Sequence, residues 1–158
     1  MISIITVMNT ILEKEFRNDA PITPVKLNAL IYFTQLSSIH SGEDPVLGHE
    51  QFIIGESFPV SASFSAKFAY LNLHKPITSY VTDAAGNKEV YTDSQLSRHI
   101  FSASSLIRDL QDHQIITMMA NPQTSWFQSK YHKEQPYPDY NGILTQEDLM
   151  SDSELYFS

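Results

Sequence analysis

The sequence predicts a mainly α-helical fold: one compact multi-helix domain spanning residues 1–158, with a single small β-hairpin. Three observations lead there. Apolar residues recur at three- and four-residue steps in several separate stretches. Helix-capping residues stand at the head of most of those stretches. At 158 residues, 42% hydrophobic and 18% charged, the chain is long enough to bury one sizeable core and too apolar to stay disordered.

Ile4, Ile5, Met8, Ile11, Leu12 and Phe16 trace a first amphipathic helix, with Ser3 as its cap. Asn18-Asp19-Ala20-Pro21 breaks it. Thr23 caps a second helix, and Pro24 suits its first position, where a missing N–H costs nothing. Leu27, Leu30, Ile31 and Thr34 share one face, which predicts a half-buried helix fading near Ser41-Gly42. Gln51-Phe52-Ile53-Ile54 is either a brief strand or an extended link. Beyond Pro59, Val60, Phe64, Phe68 and Leu71 mark a third helix that must end before Pro76.

Branched and aromatic residues in Ile77–Thr82 favour a strand, Asp83-Ala84-Ala85-Gly86-Asn87 a turn, and Lys88–Tyr91 a returning strand. The hairpin is expected here. Thr92-Asp93-Ser94 then supplies caps for a stripe of Leu96, Ile100, Ala103, Ile107 and Leu110, which Ser102, Ser104 and Ser105 can split into two helices. Ile115, Ile116 and Met119 predict a short helix that Asn121-Pro122 ends. Residues 128–142, with two prolines and three tyrosines, read as an ordered loop. Thr145-Gln146-Glu147-Asp148 forms a capping box for a last helix through Leu149, Met150 and Leu155.

Composition narrows function by exclusion. Without cysteine there is no disulfide, thiolate metal site or thiol nucleophile. The net charge is −8, and no base follows Lys133 while Glu134, Asp139, Glu147, Asp148, Asp152 and Glu154 do. Such a surface repels phosphate backbones, so direct nucleic-acid binding is disfavoured; the acidic tail serves solubility or a basic partner. Met1–Met8 lacks the basic start of a signal peptide, and no apolar run reaches the ~20 residues that cross a bilayer. A cytoplasmic protein without membrane attachment is expected.

Little points to catalysis. The six histidines show no metal-ligand spacing, there is no phosphate-binding P-loop, and no cofactor or metal is expected. Gly55-Glu56-Ser57-Phe58-Pro59 approximates a GxSxG nucleophile elbow, but proline replaces the second glycine that lets strand and helix approach. A serine hydrolase around Ser57 is the lesser alternative; otherwise Ser57 caps the helix near Pro59. Trp126, the only tryptophan, suits a core anchor or an interface hot spot. Tyr131, Tyr137 and Tyr140 would serve an interface or half-buried packing.

One segment is more particular. Thr23-Pro24, Lys26, Leu27 and the run through Tyr32-Phe33 together resemble the opening helix of the Panacea antitoxin domain, the family of SocA-like antitoxins and GepA-like phage-associated proteins. The likeness covers most of the chain at low identity. Gly55, Pro59 and Val60 stand where the family has a Gly-Pro-Val motif, here spread apart by Glu56-Ser57-Phe58. Ser125-Trp126 matches a later family pair, whereas Met119-Ala120 replaces the family's Thr-His. The closing segment with Ile143, Glu147, Met150, Tyr156 and Phe157 is similar to the family's last helix.

The resemblance implies a non-catalytic protein, encoded by a phage or mobile element, that binds and neutralises a toxin directly or delivers it to a cellular protease. It marks Thr23, Pro24, Lys26, Leu27, Tyr32, Gly55, Pro59, Val60, Ser125 and Trp126 as motif or partner-binding residues. A phage regulatory protein that keeps the fold without a toxin partner is the alternative.

Overall fold

The computed structural model describes residues 3–20, 22–68, 72–82, 93–131 and 142–157. Among them are seven helices and one two-stranded antiparallel hairpin. In chain order these are α1 (Ile4–Arg17), α2 (Pro24–His40), β1 (Phe52–Ile54), β2 (Pro59–Ser61), α3 (Ala62–Phe68), α4 (Ser94–Ile107), α5 (Asp112–Met119), α6 (Ser125–Tyr131) and α7 (Gln146–Phe157).

Everything is organised around α2. It is 17 residues long, about 25 Å, and packs against α1, α4, α5, α7 and β2. The sequence predicts a half-buried helix, but only Lys26, Ile39 and His40 escape full burial. Leu27, Leu30, Ile31, Tyr32, Phe33 and Leu36 are all at most 1% exposed. Burial on every side makes α2 a core helix, and each such side chain contributes roughly 1.5–3 kcal/mol of apolar transfer.

Its polar residues are buried too, and each grips a different element. Asn28 donates through Nδ2 to the Pro59 carbonyl (2.9 Å) and accepts from the Ser61 N–H (3.0 Å), so one amide sets the position of β2. Gln35 Oε1 accepts from the Leu47 N–H (3.0 Å), and Ser38 Oγ accepts from the Val46 N–H (3.2 Å); both hold the loop after α2. Burying amides and hydroxyls is tolerable only because these bonds are made.

The hairpin pairs Phe52 with Ser61, Ile53 with Val60 and Ile54 with Pro59. Residues 142–144 lie along the other edge of β1: Ile54 N–H donates to the Gly142 carbonyl (2.7 Å), and Leu144 N–H to the Phe52 carbonyl (2.8 Å). Within the segment 51–54, Phe52–Ile54 is therefore a strand, and the hairpin of the described residues stands here. Residues 77–82 form no strand. Asn9 supplies their pairing, donating to the Val81 carbonyl (2.7 Å) and accepting from the Val81 N–H (2.8 Å), while Ile77 N–H bonds the Ile22 carbonyl (2.7 Å). The expected turn and returning strand at 83–91 lie outside the described residues.

Three further expectations change. Val60 belongs to β2, so α3 starts at Ala62, and Leu71 lies outside the described residues. Ser61 caps α3 by accepting from the Phe64 N–H (3.2 Å); Ser57 does not. Residues 128–131 continue a helix, α6, where a loop was expected. By contrast α4 is unbroken. Ser102 and Ser105 turn their hydroxyls back onto the Arg98 and Phe101 carbonyls and so stay inside the helix.

The caps follow the sequence closely. Ser3, Thr23 and Asp93 accept from the first turns of α1, α2 and α4. Thr145 and Asp148 close a reciprocal box at α7: Asp148 N–H donates to Thr145 Oγ1 (3.1 Å), and Thr145 N–H to the Asp148 carboxylate (2.9 Å).

Candidate functional site

The motif residues fall into two groups. At the head of α2, Thr23 donates to Asp112 at the start of α5 (2.8 Å), and Asp112 in turn meets His74 Nδ1 (2.9 Å). Lys26 reaches Glu15 of α1 at 3.8 Å, with both side chains largely covered. Pro24 and Leu27 are buried beside them. These residues lock α2 to α1 and α5.

The second group meets where the hairpin turn, α6 and α7 converge. Tyr32 donates its hydroxyl to Asp152 of α7 (2.5 Å), and the other Asp152 oxygen accepts from the Ser125 N–H (2.9 Å). Ser125 Oγ donates to the Asp148 carbonyl (3.1 Å). Beside it, Trp126 donates its indole N–H to the Gly55 carbonyl (2.7 Å), and the Lys130 ammonium lies 5.3 Å from the indole centroid. A Cβ on Gly55 would stand 2.5 Å from the Phe58 carbonyl oxygen and 2.7 Å from a Val60 methyl, so this turn closes only around glycine. Tyr32, Gly55, Pro59, Val60, Ser125 and Trp126, distant in sequence, thus form one brace.

Electrostatics follow from burial. Burial pushes the Asp152 carboxyl above its ordinary value, and the bonds from Tyr32 and Ser125 act in the opposite direction. Burial, reinforced by Asp152, raises the Tyr32 hydroxyl as well. Because Tyr32, Leu27 and Trp126 are at most 4% exposed, their side chains build the framework and do not present a surface to a partner.

A third cluster carries no spacing signal in the sequence. Ser37 Oγ sits 2.8 Å from His99 Nδ1, and His99 Nε2 sits 2.6 Å from Glu43. Gln95 and Arg98 also donate to Glu43, each at 2.6 Å. The bond from His99, then that from Gln95, and the Arg98 charge pull the Glu43 carboxyl down to about 2. With Glu43 ionised, Nε2 carries the proton; a neutral ring accepts from Ser37 through Nδ1, and a protonated ring donates to it. A serine–histidine–acid hydrolase places serine on Nε2 and acid on Nδ1, the reverse of this order. Ser37 is moreover enclosed in the last turn of α2. The cluster ties the loop after α2 to α4.

Ser57 occupies the exposed turn between β1 and β2. The chain passes there from strand to strand, whereas a nucleophile elbow passes from strand to helix. No described hydrogen bond joins Ser57 to a histidine. Among the described residues no group of three or more histidine or carboxylate side chains is placed to hold a metal ion, and no helix is long and apolar enough to cross a membrane.

An open groove lined by Pro24, Lys67, Phe68 and residues 75–82 borders the head of α2, and two helix faces carry exposed apolar side chains. On α7, Glu147, Met150, Ser151, Glu154 and Leu155 share the outward face, with Met150 56% and Leu155 39% exposed. On α4, Phe101 is 56% exposed. No known protein family, curated protein or solved structure matches the chain.

Proposed function

We propose that this chain is a cytoplasmic, non-catalytic antitoxin-like protein that binds a toxin through the outward face of α7. The observation that carries the proposal is the composition of that face. Met150 and Leu155, both apolar and exposed, stand beside the exposed Glu147 and Glu154. Apolar anchors ringed by carboxylates suit a basic, partly apolar protein: the anchors supply affinity, and the charges supply attraction and selectivity.

The resemblance to the Panacea domain supports the same function, and the brace gives its motif residues a role. Asp152, on the inward side of α7, is held by Tyr32 and Ser125, so the outward side is presented on a rigid support. Direct neutralisation needs only this surface. Delivery to a protease needs a second, separate contact.

Co-expression with the product of the neighbouring gene tests the proposal. Growth should be rescued and a complex should copurify. Met150→Lys combined with Leu155→Lys should weaken that complex by at least about thirtyfold, the loss expected for two hot-spot anchors, while leaving the helical content unchanged. A harmless neighbour, or a complex indifferent to both substitutions, would remove the proposal.

A further inference from the structure

We propose that a second surface, centred on Phe101, receives the outward face of α7 from a second copy of this chain. Phe101 projects from α4 with more than half of its area open to solvent. Two cations flank its ring: Lys14 Nζ, from the last turn of α1, lies 5.5 Å from the centroid, and Arg108 Cζ, at the end of α4, lies 5.8 Å from it. Neither cation forms an ion pair among the described residues. On a molecule of net charge −8, an open aromatic ring between two uncommitted cations is a local inversion of the surface field.

The partner that fits is apolar and acidic. A polyanion is disfavoured by the charge of the rest of the molecule. A helix with a few carboxylates about an apolar centre adds the apolar contact that a polyanion lacks, and the outward face of α7 is that helix. Glu147 and Met150 are one turn apart, as ring and cations are neighbours on the other face. Met150, with a flexible and polarisable thioether, packs on the Phe101 ring. Glu147 reaches Lys14 and Arg108.

Both faces belong to helices packed on α2, so one chain presents both. A two-fold pair then uses each face twice over, and the two equivalent contacts double the area that a single helix–helix contact covers. The inference concerns the free chain; a toxin seated on the outward face of α7 takes the place of the second copy.

Sedimentation equilibrium of the purified full chain, with no other protein present, tests it. Self-association that saturates at a dimer and weakens with added salt is expected. Phe101→Glu and Met150→Lys should each raise the dissociation constant at least about tenfold. Arg108→Glu and Glu147→Arg should each weaken the dimer, and the two together in one chain should restore it. All four positions are exposed, and circular dichroism checks that the variants keep their helices. A chain that stays monomeric at about 100 μM, well above the Kd of a specific interface, overturns the inference. So does an association that none of the four substitutions alters.

Discussion

Tyr32 shows how one side chain serves two physical roles. Its ring packs edge-on against Phe52 (5.2 Å) inside the core, and its hydroxyl reaches Asp152 on α7. Tyr32→Phe keeps the ring and removes only the donor. Asp152, whose ionisation burial already disfavours, then loses one of the bonds that favour its charged form. The expected cost is about 1–3 kcal/mol at neutral pH, read from urea unfolding. The sign of its pH dependence follows. The substitution raises the folded-state Asp152 value further, so the deficit against wild type narrows as pH falls and Asp152 takes up its proton. A deficit independent of pH would mean that the lost packing, and not the lost hydrogen bond, sets the cost. Residues such as Thr23, Asp93 and Thr145 are legible in sequence because a cap acts on its own next turn. Ser37, His99 and Glu43 are not, because the chain brings them together across the fold and no spacing records it.

At the scale of elements, legibility followed length. Long amphipathic stretches such as α1 and α4 announce themselves by period. The three-residue strands β1 and β2 and the seven-residue α6 are shorter than any periodic window. The stretch 77–82 has strand-like composition, yet its backbone partner is the side-chain amide of Asn9, which propensity does not encode. Full burial of α2 is hidden for a related reason: the stripe of Leu27, Leu30, Ile31 and Thr34 shows one buried face, while the polar Asn28, Gln35 and Ser38 also bond inward to neighbouring segments.

The loop after α2 yields a pH prediction. The folded-state Glu43 value, about 2, lies below its ordinary 4.5. The stabilisation it gives is therefore full above about pH 4.5 and is lost as pH falls towards 2. Glu43→Gln should lower the urea midpoint at pH 7 and flatten the wild-type decline across that acid window. An unchanged acid limb in the variant would show that other carboxylates govern it.

For the whole molecule, one helix in contact with four other helices and β2 implies cooperative unfolding. Exposing α2 requires removing α1, α4, α5 and α7 together. Amides in the middle of α2, from Leu30 to Gln35, should exchange with solvent hydrogen only through global opening, at the full free energy of unfolding, on the order of 5–15 kcal/mol. Those of the short, peripheral α6 should exchange sooner. Comparable rates in α2 and α6 would contradict a single central support. The sequence marks this helix by its Thr-Pro opening, but its centrality emerges only from the sum of its contacts.

Trp126 makes the brace an internal optical gauge. It is the only indole in the chain, so any tryptophan emission originates at this one spot. The ring is shielded from water, bonded to the Gly55 carbonyl and faced by the Lys130 ammonium, and the Ser125 amide just before it is tied to Asp152 on α7. A partner that displaces α7, even slightly, alters the polarity and charge around the indole. Engagement of that helix can therefore be followed by intrinsic fluorescence, with no dye and no label.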